Sequence, residues 1–398
     1  MPLPAGYKEC FLKDIVLKRT KRINEGHLWV FSNEIGSRLS GYAPGELVRL
    51  IDRKGNFHGI GYINPHTLIA VRILSDKDIP INRDFFYDRI KKAIQFRKKT
   101  IGELPAQRLI FSEGDLLPGL IVDKYADALS LQFLTAGMDA RKPEILEILD
   151  ELVSPSTIVV RNDSPFRKLE GLPIETSVFK GEIKGPVEIS EGDVKLRVDL
   201  LKGQKTGFFL DQRENRLSFS SLINGGRGLD LFSYSGAWAL QAARRGAEVI
   251  AVDSSEQAVR MINENASLNR LSAVVHPERA DVFEFLKEEL KKGKTYDFVI
   301  LDPPAFVKSK TSLKTGMAGY RKINEMALGL LKPGGLLATS SCSYHLSEDT
   351  FLEILLRAAR SAGKLLRLIE IRSQARDHPV LLSMPETRYL KCIFAQAL

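Results

Sequence analysis

The pattern of apolar and polar residues changes at about residue 226. Beyond this point short apolar runs alternate with stretches whose apolar residues recur every three to four positions, which predicts strands separated by amphipathic helices. This alternation indicates an α/β fold, a parallel sheet covered on both faces that binds ligands beyond the carboxyl ends of its strands. The predicted strands are Gly228–Phe232, Glu248–Asp253, Ala273–His276, Tyr296–Asp302, Gly335–Ser341, Leu365–Ile371 and Tyr389–Ala395.

The first half of the chain follows other patterns. Alternating runs at Glu46–Ile51, Phe57–Ile63 and Ile69–Leu74 predict strands of a small β-barrel in a domain over residues 1–74. A helix over Arg83–Thr100 opens a central α+β domain over residues 75–185. Residues 186–398 form the third predicted domain. The central domain has further predicted elements: strands at Leu120–Asp123, Leu129–Phe133 and Thr157–Arg161, and a helix at Lys142–Leu152.

Charge is distributed unevenly along the 398 residues. The net charge of +9 lies in residues 1–100, which hold 19 Lys and Arg against 10 Asp and Glu, and the remainder is neutral. The helix at 83–100 has a basic face of Lys91, Lys92, Arg97, Lys98 and Lys99. A basic amino-terminal segment on an otherwise neutral chain indicates a docking surface for a polyanion, with nucleic acid as the leading candidate. The alternative is a solvated basic face that has no partner.

Several classes of protein are disfavoured by the sequence. The amino terminus has no apolar segment typical of a signal peptide, and no apolar run is long enough to span a membrane. Three widely separated cysteines, Cys10, Cys342 and Cys392, indicate reduced thiols rather than a disulfide framework. We therefore expect a cytoplasmic protein that uses no membrane and no metal, and the sequence leaves open whether it forms a homodimer.

A cofactor loop is predicted where the first strand of the α/β segment turns into its helix. The small residues Ser233, Ser235 and Gly236 in this loop let a ligand approach the backbone, and free amides at the helix start favour a carboxylate or phosphate. Asp253 ends the next strand, where an acid can bind a ribose diol. A dinucleotide site needs G-x-G-x-x-G, whereas this loop has only Gly236, so we expect a different nucleoside cofactor.

A second motif, Asp302-Pro303-Pro304-Ala305-Phe306, follows the fourth strand. The two prolines stiffen an extended loop that offers carbonyl acceptors, and Phe306 supplies a ring for stacking. This arrangement suits a planar base held beside a methyl donor, so Pro303, Pro304 and Phe306 are predicted to contact the substrate. Together with Asp230 and Asp253, it predicts a methyltransferase.

The chain resembles the ribosomal RNA large-subunit methyltransferases that carry an amino-terminal PUA domain and make 5-methylcytosine in 23S rRNA. The resemblance extends over nearly the whole chain. It implies a Rossmann-like class I methyltransferase domain with an amino-terminal hairpin and lid, preceded by a PUA-like β-barrel, with S-adenosyl-L-methionine as cofactor and 23S rRNA as partner. The segments that carry it are Gly26–Ile35, Lys205–Asn215, Leu229–Gly236, Asp302–Phe306 and Ser340–Ser343.

The resemblance also implies roles for single residues. Asp253 would hold the ribose and Asp281 the adenine amino group, although Asp281 could equally be a helix cap. The other residues implied or predicted at the cofactor are Phe208, Asp211, Gln212, Arg213, Asp230, Phe232, Ser233, Tyr234, Gly236 and Asp302.

Methylation of cytosine carbon 5 requires a nucleophile. A thiolate that adds to carbon 6 activates carbon 5, and Cys342, at the end of the fifth strand, is the predicted nucleophile, with Asp302 bound to the base edge. Alternatively Cys342 is an inert core residue, as expected for Cys392, and the enzyme methylates a guanine or adenine nitrogen. A third hypothesis is a non-catalytic RNA-binding assembly factor. His345 could move a proton, but an exposed loop histidine is the simpler interpretation.

Overall fold

The computed structural model describes residues 12–307 and 309–398. These residues divide into two compact units. The first holds residues 12–103, 108–183 and 379–387, and the second holds residues 104–107, 184–378 and 388–398. The first unit therefore combines most of the two predicted amino-terminal domains with a short segment from near the carboxyl terminus.

Two five-stranded sheets form the first unit, in the orders β1-β3-β4-β5-β2 and β10-β9-β8-β7-β6. In the first sheet β1 is parallel to β3 while the other pairs are antiparallel, and an isolated bridge joins Leu17 to Ile35. The strands are β1 (Lys13–Leu17), β2 (Trp29–Phe31), β3 (Glu46–Asp52), β4 (Phe57–Ile63), β5 (Ile69–Ser75), β6 (Ala106–Phe111), β7 (Leu120–Tyr125), β8 (Ala128–Phe133), β9 (Thr157–Asn162) and β10 (Glu175–Lys180).

Helices in the first unit include four that are short or of moderate length and one of 18 residues. They are α1 (Lys21–Asn24), α2 (Arg83–Thr100), α3 (Ala136–Asp139), α4 (Lys142–Val153) and α5 (Phe166–Leu169). The long helix α2 begins after Asn82, whose side chain accepts a hydrogen bond from the Phe85 amide, as expected of an N-cap. Its apolar stripe, which includes Phe86 and Ile90, packs into the core that it shares with the second sheet.

The prediction that Arg97 belongs to the basic face of α2 is wrong. The Arg97 side chain is fully buried, and its guanidinium forms a two-point ion pair with Asp115 and also donates to the Arg108 carbonyl at 3.0 Å. Arg97 lies seven residues after Ile90, on the inward face of the helix, so its charge is neutralised inside the unit. The four lysines Lys91, Lys92, Lys98 and Lys99 are exposed.

A seven-stranded sheet in the order β15-β14-β13-β16-β17-β19-β18 forms the centre of the second unit. The five strands from β15 to β17 are parallel, whereas β19 is antiparallel to both its neighbours. The expectation of a wholly parallel sheet is therefore wrong at this end. The connection from β18 to β19 contains a short 3₁₀ turn, Pro385–Thr387, in place of the α-helix that usually crosses between parallel neighbours. The strands are β11 (Val187–Glu191) and β12 (Val194–Val198), which pair as a hairpin, and β13 (Arg227–Leu231), β14 (Glu248–Asp253), β15 (Val275–Arg279), β16 (Tyr296–Leu301), β17 (Leu331–Ser341), β18 (Leu366–Arg372) and β19 (Lys391–Ala397).

Helices connect the parallel strands and pack on the sheet. Those of the second unit are α6 (Arg213–Ser221), α7 (Ala237–Ala243), α8 (Glu256–Leu268), α9 (Val282–Lys291), α10 (Leu313–Gly329) and α11 (Glu348–Ser361). Leu229, Val299 and Leu337 are fully buried in the core of this sheet. Since β13, β14 and β16 run in one direction, their carboxyl ends meet at one edge, where the predicted cofactor residues lie. Across the described residues, no helix is both long and apolar enough to cross a membrane.

Candidate active site

The loop after β13 is held in a strained conformation. Phe232 and Tyr234 have φ angles of 65° and 51°, a region that residues other than glycine rarely adopt. Hydrogen bonds fix the loop: the Ser233 amide donates to the Val252 carbonyl at 3.1 Å, and the Tyr234 amide donates to Asp253 Oδ2 at 3.0 Å. Gly236 also has a positive φ, and an added Cβ would lie 3.0 Å from Ile262. Such strain is typical of ligand-binding loops.

Asp230 lies beneath this loop and is fully buried. Its Oδ2 accepts a hydrogen bond from the Ala239 amide at 3.0 Å, in the first turn of α7. The idea that free amides at this helix start bind an anionic ligand is thus weakened, because Asp230 itself occupies one of them. Its Oδ1 has no hydrogen-bond partner among the described residues. Burial raises the pKa of Asp230 to about 7, against the opposing effect of the Ala239 hydrogen bond, and the nearby Asp302 and Asp253 add to the rise.

Asp302 follows β16 and is held by two side chains. Gln212 Nε2 donates to Oδ1 at 2.9 Å, and the indole nitrogen of Trp238 donates to Oδ2 at 3.2 Å. Burial raises the pKa of Asp302 above its ordinary value, although these two hydrogen bonds oppose the rise. Gln212 also donates to Ser340 Oγ at 3.0 Å, so one amide group connects the ends of β16 and β17.

The residues of the segment predicted as a lid differ in whether their side chains lie at this edge. Asp211 is buried beside Asp302, and its Oδ2 accepts hydrogen bonds from the Tyr389 hydroxyl at 2.5 Å and from Lys205 Nζ at 3.2 Å. Phe208 is buried under the Arg216 guanidinium, 4.7 Å from the ring centroid. Arg213 forms a buried ion pair with Asp377 at 2.8 Å. Phe208 and Arg213 therefore have clear structural roles, and their cofactor roles stay predictions.

Cys342 follows β17 directly and is partly exposed. Residues alternate between the two faces of a strand, so Cys342 is expected on the face of Ser340 and its partner Gln212. Burial raises the pKa of the Cys342 thiol, Lys205 lowers it, and Asp302 and Asp211 raise it. Cys392 is fully buried on β19, as predicted, and burial raises its pKa to about 12. Cys10 lies outside the described residues.

Two further predicted residues, Asp281 and Phe306, lie beside β15 and β16. Asp281 is the N-cap of α9, and its Oδ1 accepts hydrogen bonds from the Phe283 and Glu284 amides at 2.9 and 3.2 Å. The cap interpretation is confirmed, and the adenine contact stays a prediction. Phe306 joins an aromatic group in which its ring centroid lies 4.7 Å from that of Tyr320 and 6.2 Å from that of Phe283. Pro303 is buried and Pro304 exposed.

Sequence reasoning missed three side chains at this edge. Trp238 holds Asp302 from α7, Tyr389 holds Asp211, and Lys391 is a buried lysine beside the Cys342 loop. A lysine within the apolar strand β19 is the one signal that was visible in the sequence. His345 is partly exposed, and its ring lies 5.2 Å from that of Tyr344. The described residues contain no group of His, Cys, Asp and Glu side chains that could hold a metal ion.

Comparisons with known proteins agree with this geometry. Residues 17–76 match a family model described as a PUA-like domain, and residues 160–380 match one described as S-adenosylmethionine-dependent methyltransferase. The chain is 39% identical over 385 residues to ribosomal RNA large subunit methyltransferase I from Shewanella amazonensis, covering 95% of this chain and 97% of that protein.

Two solved structures have the same fold. A SAM-dependent methyltransferase from Streptococcus mutans has a TM-score of 0.83 at 21% identity, over 97% of this chain and all of that one. A methyltransferase complexed with SAH has a TM-score of 0.83 at 22% identity, over 96% of this chain and 99% of that one. At such identities the likeness establishes the fold alone.

The side chains at this edge fit S-adenosylmethionine, the cofactor of the matched family. Its sulfonium and ammonium groups are cationic, and Asp230 offers a buried Oδ1 that has no partner among the described residues. Asp253 borders a small cavity that Gln257 and Tyr234 also line, where an acid can accept hydrogen bonds from a ribose. Asp230 and Asp253 would therefore hold opposite parts of the cofactor.

We expect S-adenosylmethionine to bind more tightly as pH rises through about 7, because Asp230 then loses its proton and attracts the cation. Between pH 6 and pH 8 the dissociation constant should fall roughly tenfold, the size of a shift of about one pKa unit. Titration calorimetry measures this directly. Asp230→Asn should remove the pH dependence.

Asp297→Asn is the matched control, since Asp297 lies at the opposite end of β16 and pairs with Lys332 at 2.7 Å. This variant should keep the wild-type pH profile. A wild-type profile that is flat, or one that persists in Asp230→Asn, would contradict the assignment of Asp230.

Proposed function

The chain belongs to the ribosomal RNA large subunit methyltransferase I family of S-adenosylmethionine-dependent methyltransferases, and from that premise we propose that it methylates carbon 5 of a cytosine in large-subunit ribosomal RNA. One observation supports carbon 5 above all. Cys342 directly follows β17, and Asp302, whose charge acts on the Cys342 thiol, directly follows the neighbouring strand β16. A nucleophile and a proton-holding group are the two components that this reaction needs at the base.

Cys342 would add to carbon 6 of the cytosine as a thiolate. The new carbon–sulfur bond displaces the ring's double-bond electrons, which makes carbon 5 nucleophilic, and Asp302 supplies a proton to the ring nitrogen. The raised pKa of Asp302 suits this role, since the carboxyl group retains a proton at higher pH than an ordinary aspartate does. When bound, S-adenosylmethionine supplies an electrophilic methyl group. Solvent water would then accept the carbon-5 proton. The electrons of that carbon–hydrogen bond would re-form the ring's double bond and expel the Cys342 thiolate, and the ring nitrogen would return its proton to Asp302.

A second function has its own supporting observation. Burial raises the pKa of Cys342, which disfavours the thiolate and fits a cysteine that only packs. The enzyme would then methylate a guanine or adenine nitrogen, and Asp302 with its two prolines would hold the base without any covalent bond.

Removal of the thiol separates the two functions. Cys342→Ala should reduce methylation to below about one-thousandth of wild type, the scale seen when a nucleophile is deleted, because no other group at the edge can form the adduct. S-adenosylmethionine affinity should stay within about twofold, as Cys342 makes no assigned cofactor contact. The measurement is mass mapping of modified nucleosides in large-subunit ribosomal RNA treated with the purified variant.

Cys392→Ala serves as the control, because it removes a buried thiol from the adjacent strand and leaves Cys342 in place. It should methylate at close to the wild-type rate. Full activity of Cys342→Ala would contradict the covalent mechanism, and a methylated purine nitrogen in its product would establish the second function. Failure of the wild-type protein to bind the cofactor would instead favour a non-catalytic RNA-binding factor.

The exposed face of α2 is the docking surface that we propose for RNA. Lys91, Lys92, Lys98 and Lys99 are exposed on it, and Phe96 is 41% exposed although most apolar side chains of the helix are buried. Phe96, Arg89 and Lys92 line a groove of about 340 Å³ between α2 and residues 114–116. A ring beside cationic side chains suits an unpaired base and its phosphate.

Replacement of Lys91, Lys92, Lys98 and Lys99 by Met should weaken RNA binding and reduce the slope of log affinity against log salt by roughly three, since each lost phosphate contact removes about 0.7 to 0.9. Phe96→Ala should weaken binding without changing the slope. Fluorescence anisotropy at several salt concentrations measures both effects. Four Met replacements on and just after α9, at Lys287, Lys291, Lys292 and Lys294, form the control set. Equal slopes for the two quadruple variants would mean that α2 presents only a solvated face.

A further inference from the structure

Lys391 is the first residue of β19, and its side chain is 6% exposed. In the antiparallel pairing of β17 with β19, its Cα lies opposite that of Ser341, the residue before Cys342. A buried lysine is uncommon, because removing an ammonium group from water costs free energy that its new surroundings must offset. The groups around Lys391 must therefore stabilise its ammonium group.

Two backbone carbonyls accept hydrogen bonds from the Lys391 ammonium group. Nζ donates to the Ser343 oxygen at 2.7 Å and to the Tyr389 oxygen at 2.9 Å. Ser343 directly follows Cys342, and its own hydroxyl accepts a hydrogen bond from the Val307 amide at 3.1 Å and lies 3.0 Å from the Tyr320 hydroxyl. Lys391 is thus one of several groups that fix the backbone beside Cys342.

Carbonyl dipoles alone leave the positive charge of Lys391 without a counter-ion. Among the described residues no carboxylate lies within 4.0 Å of its Nζ, and Glu348, the nearby acid, pairs with Arg388 at 2.6 Å. Burial lowers the pKa of Lys391 to about 8, the Cys342 charge and Glu348 raise it, and Arg388 lowers it further. Cys342 lies between Ser341, which pairs with Lys391, and Ser343, whose carbonyl accepts from Nζ, so its thiolate is the group that could supply the missing negative charge.

The Cys342 thiol, in turn, needs a nearby positive charge if it is to ionise. Its pKa is raised by burial and by the charges of Asp302 and Asp211, and is lowered by Lys205. The side chain of Lys205 is 43% exposed and already pairs with Asp211, so solvent and that partner both reduce its effect on the thiol. A buried cation acts in a medium that screens it less.

We propose that Lys391 is a positioning residue for Cys342. The buried ammonium group of Lys391 fixes the loop after β17 and stabilises the thiolate form of Cys342. Only the catalytic role of this thiolate rests on the proposed function. The electrostatic coupling of the two side chains can be tested without RNA, and a failure of either proposal can be distinguished from a failure of the other.

The test is the rate at which iodoacetamide alkylates Cys342 between pH 6 and pH 10, followed by mass spectrometry of the Cys342 peptide. Lys391→Met should raise the apparent pKa of the thiol by about one unit, the low end of the effect of a nearby opposite charge, so the rate at pH 7.5 falls roughly tenfold. Lys391→Arg should restore much of the wild-type profile. Lys391→Gln keeps a donor for the carbonyls but no charge, and should behave as Lys391→Met does.

Lys364→Met is the matched control, because Lys364 also donates to a carbonyl, that of Leu331 at 2.9 Å, at the other end of β17. It should leave the alkylation profile unchanged. Cofactor binding and thermal melting establish that each variant is folded. An unchanged thiol pKa in both Lys391→Gln and Lys391→Met would overturn the proposal, and so would an equal shift in Lys364→Met. If Cys342→Ala still methylates RNA while these shifts occur, the proposed covalent function fails and the coupling of Lys391 to Cys342 stands.

Discussion

The cost of burying carboxyl groups, increased by the repulsion between neighbouring acids, is the constraint on which the carboxyl edge of this sheet depends. Asp230, Asp253 and Asp302 lie at the carboxyl ends of three adjacent strands. Burial raises the pKa of Asp230, and the charges of Asp302 and Asp253 add to that rise. Raising the pKa of Asp230 from 3.8 to about 7 corresponds to about 4 kcal/mol against its ionised form. This penalty is absent below pH 3.8, grows as pH rises and is complete above about 7, because the unfolded chain ionises first. This edge therefore favours the binding of a cation.

The remaining contacts at the edge can be understood as responses to this constraint. Gln212 and Trp238 donate to the two oxygens of Asp302, and Ala239 donates to Asp230, so neutral donors stabilise the acids without cancelling their charge. A lysine or arginine in direct contact with Asp230 would remove the attraction for a cationic methyl donor. Asp211, by contrast, does pair with Lys205, and it lies on the lid segment rather than at a strand end.

The sequence predicted well the features that depend on local pattern. The strand Glu248–Asp253 was predicted at its observed bounds, and the aspartates at strand ends followed because parallel strands share an edge. Features set by distant partners were not predictable. Arg97 looked like part of a basic face because nothing local marks Asp115 as its partner. The reversal of β19 depends on the connection from β18, and the partner of Arg213 lies 164 residues away. A helix cap at Asp281 was visible locally and was confirmed.

The position of the cysteine follows from the same constraint. A thiolate at this edge adds a negative charge to a region that already holds several carboxylates. Burial and these neighbouring charges both raise the pKa of Cys342 and so favour its protonated form. The reaction proposed here needs the thiolate only while a cationic cofactor is present, and the acids at this edge, Asp230 first, are the side chains that would attract its positive charge. On the opposite side of the strand, Lys391 supplies a buried cation whose ammonium group donates to the Ser343 carbonyl, next to Cys342. We therefore expect the thiol to be most nucleophilic when the cofactor is bound, whereas an exposed, permanently ionised cysteine would be equally reactive without it.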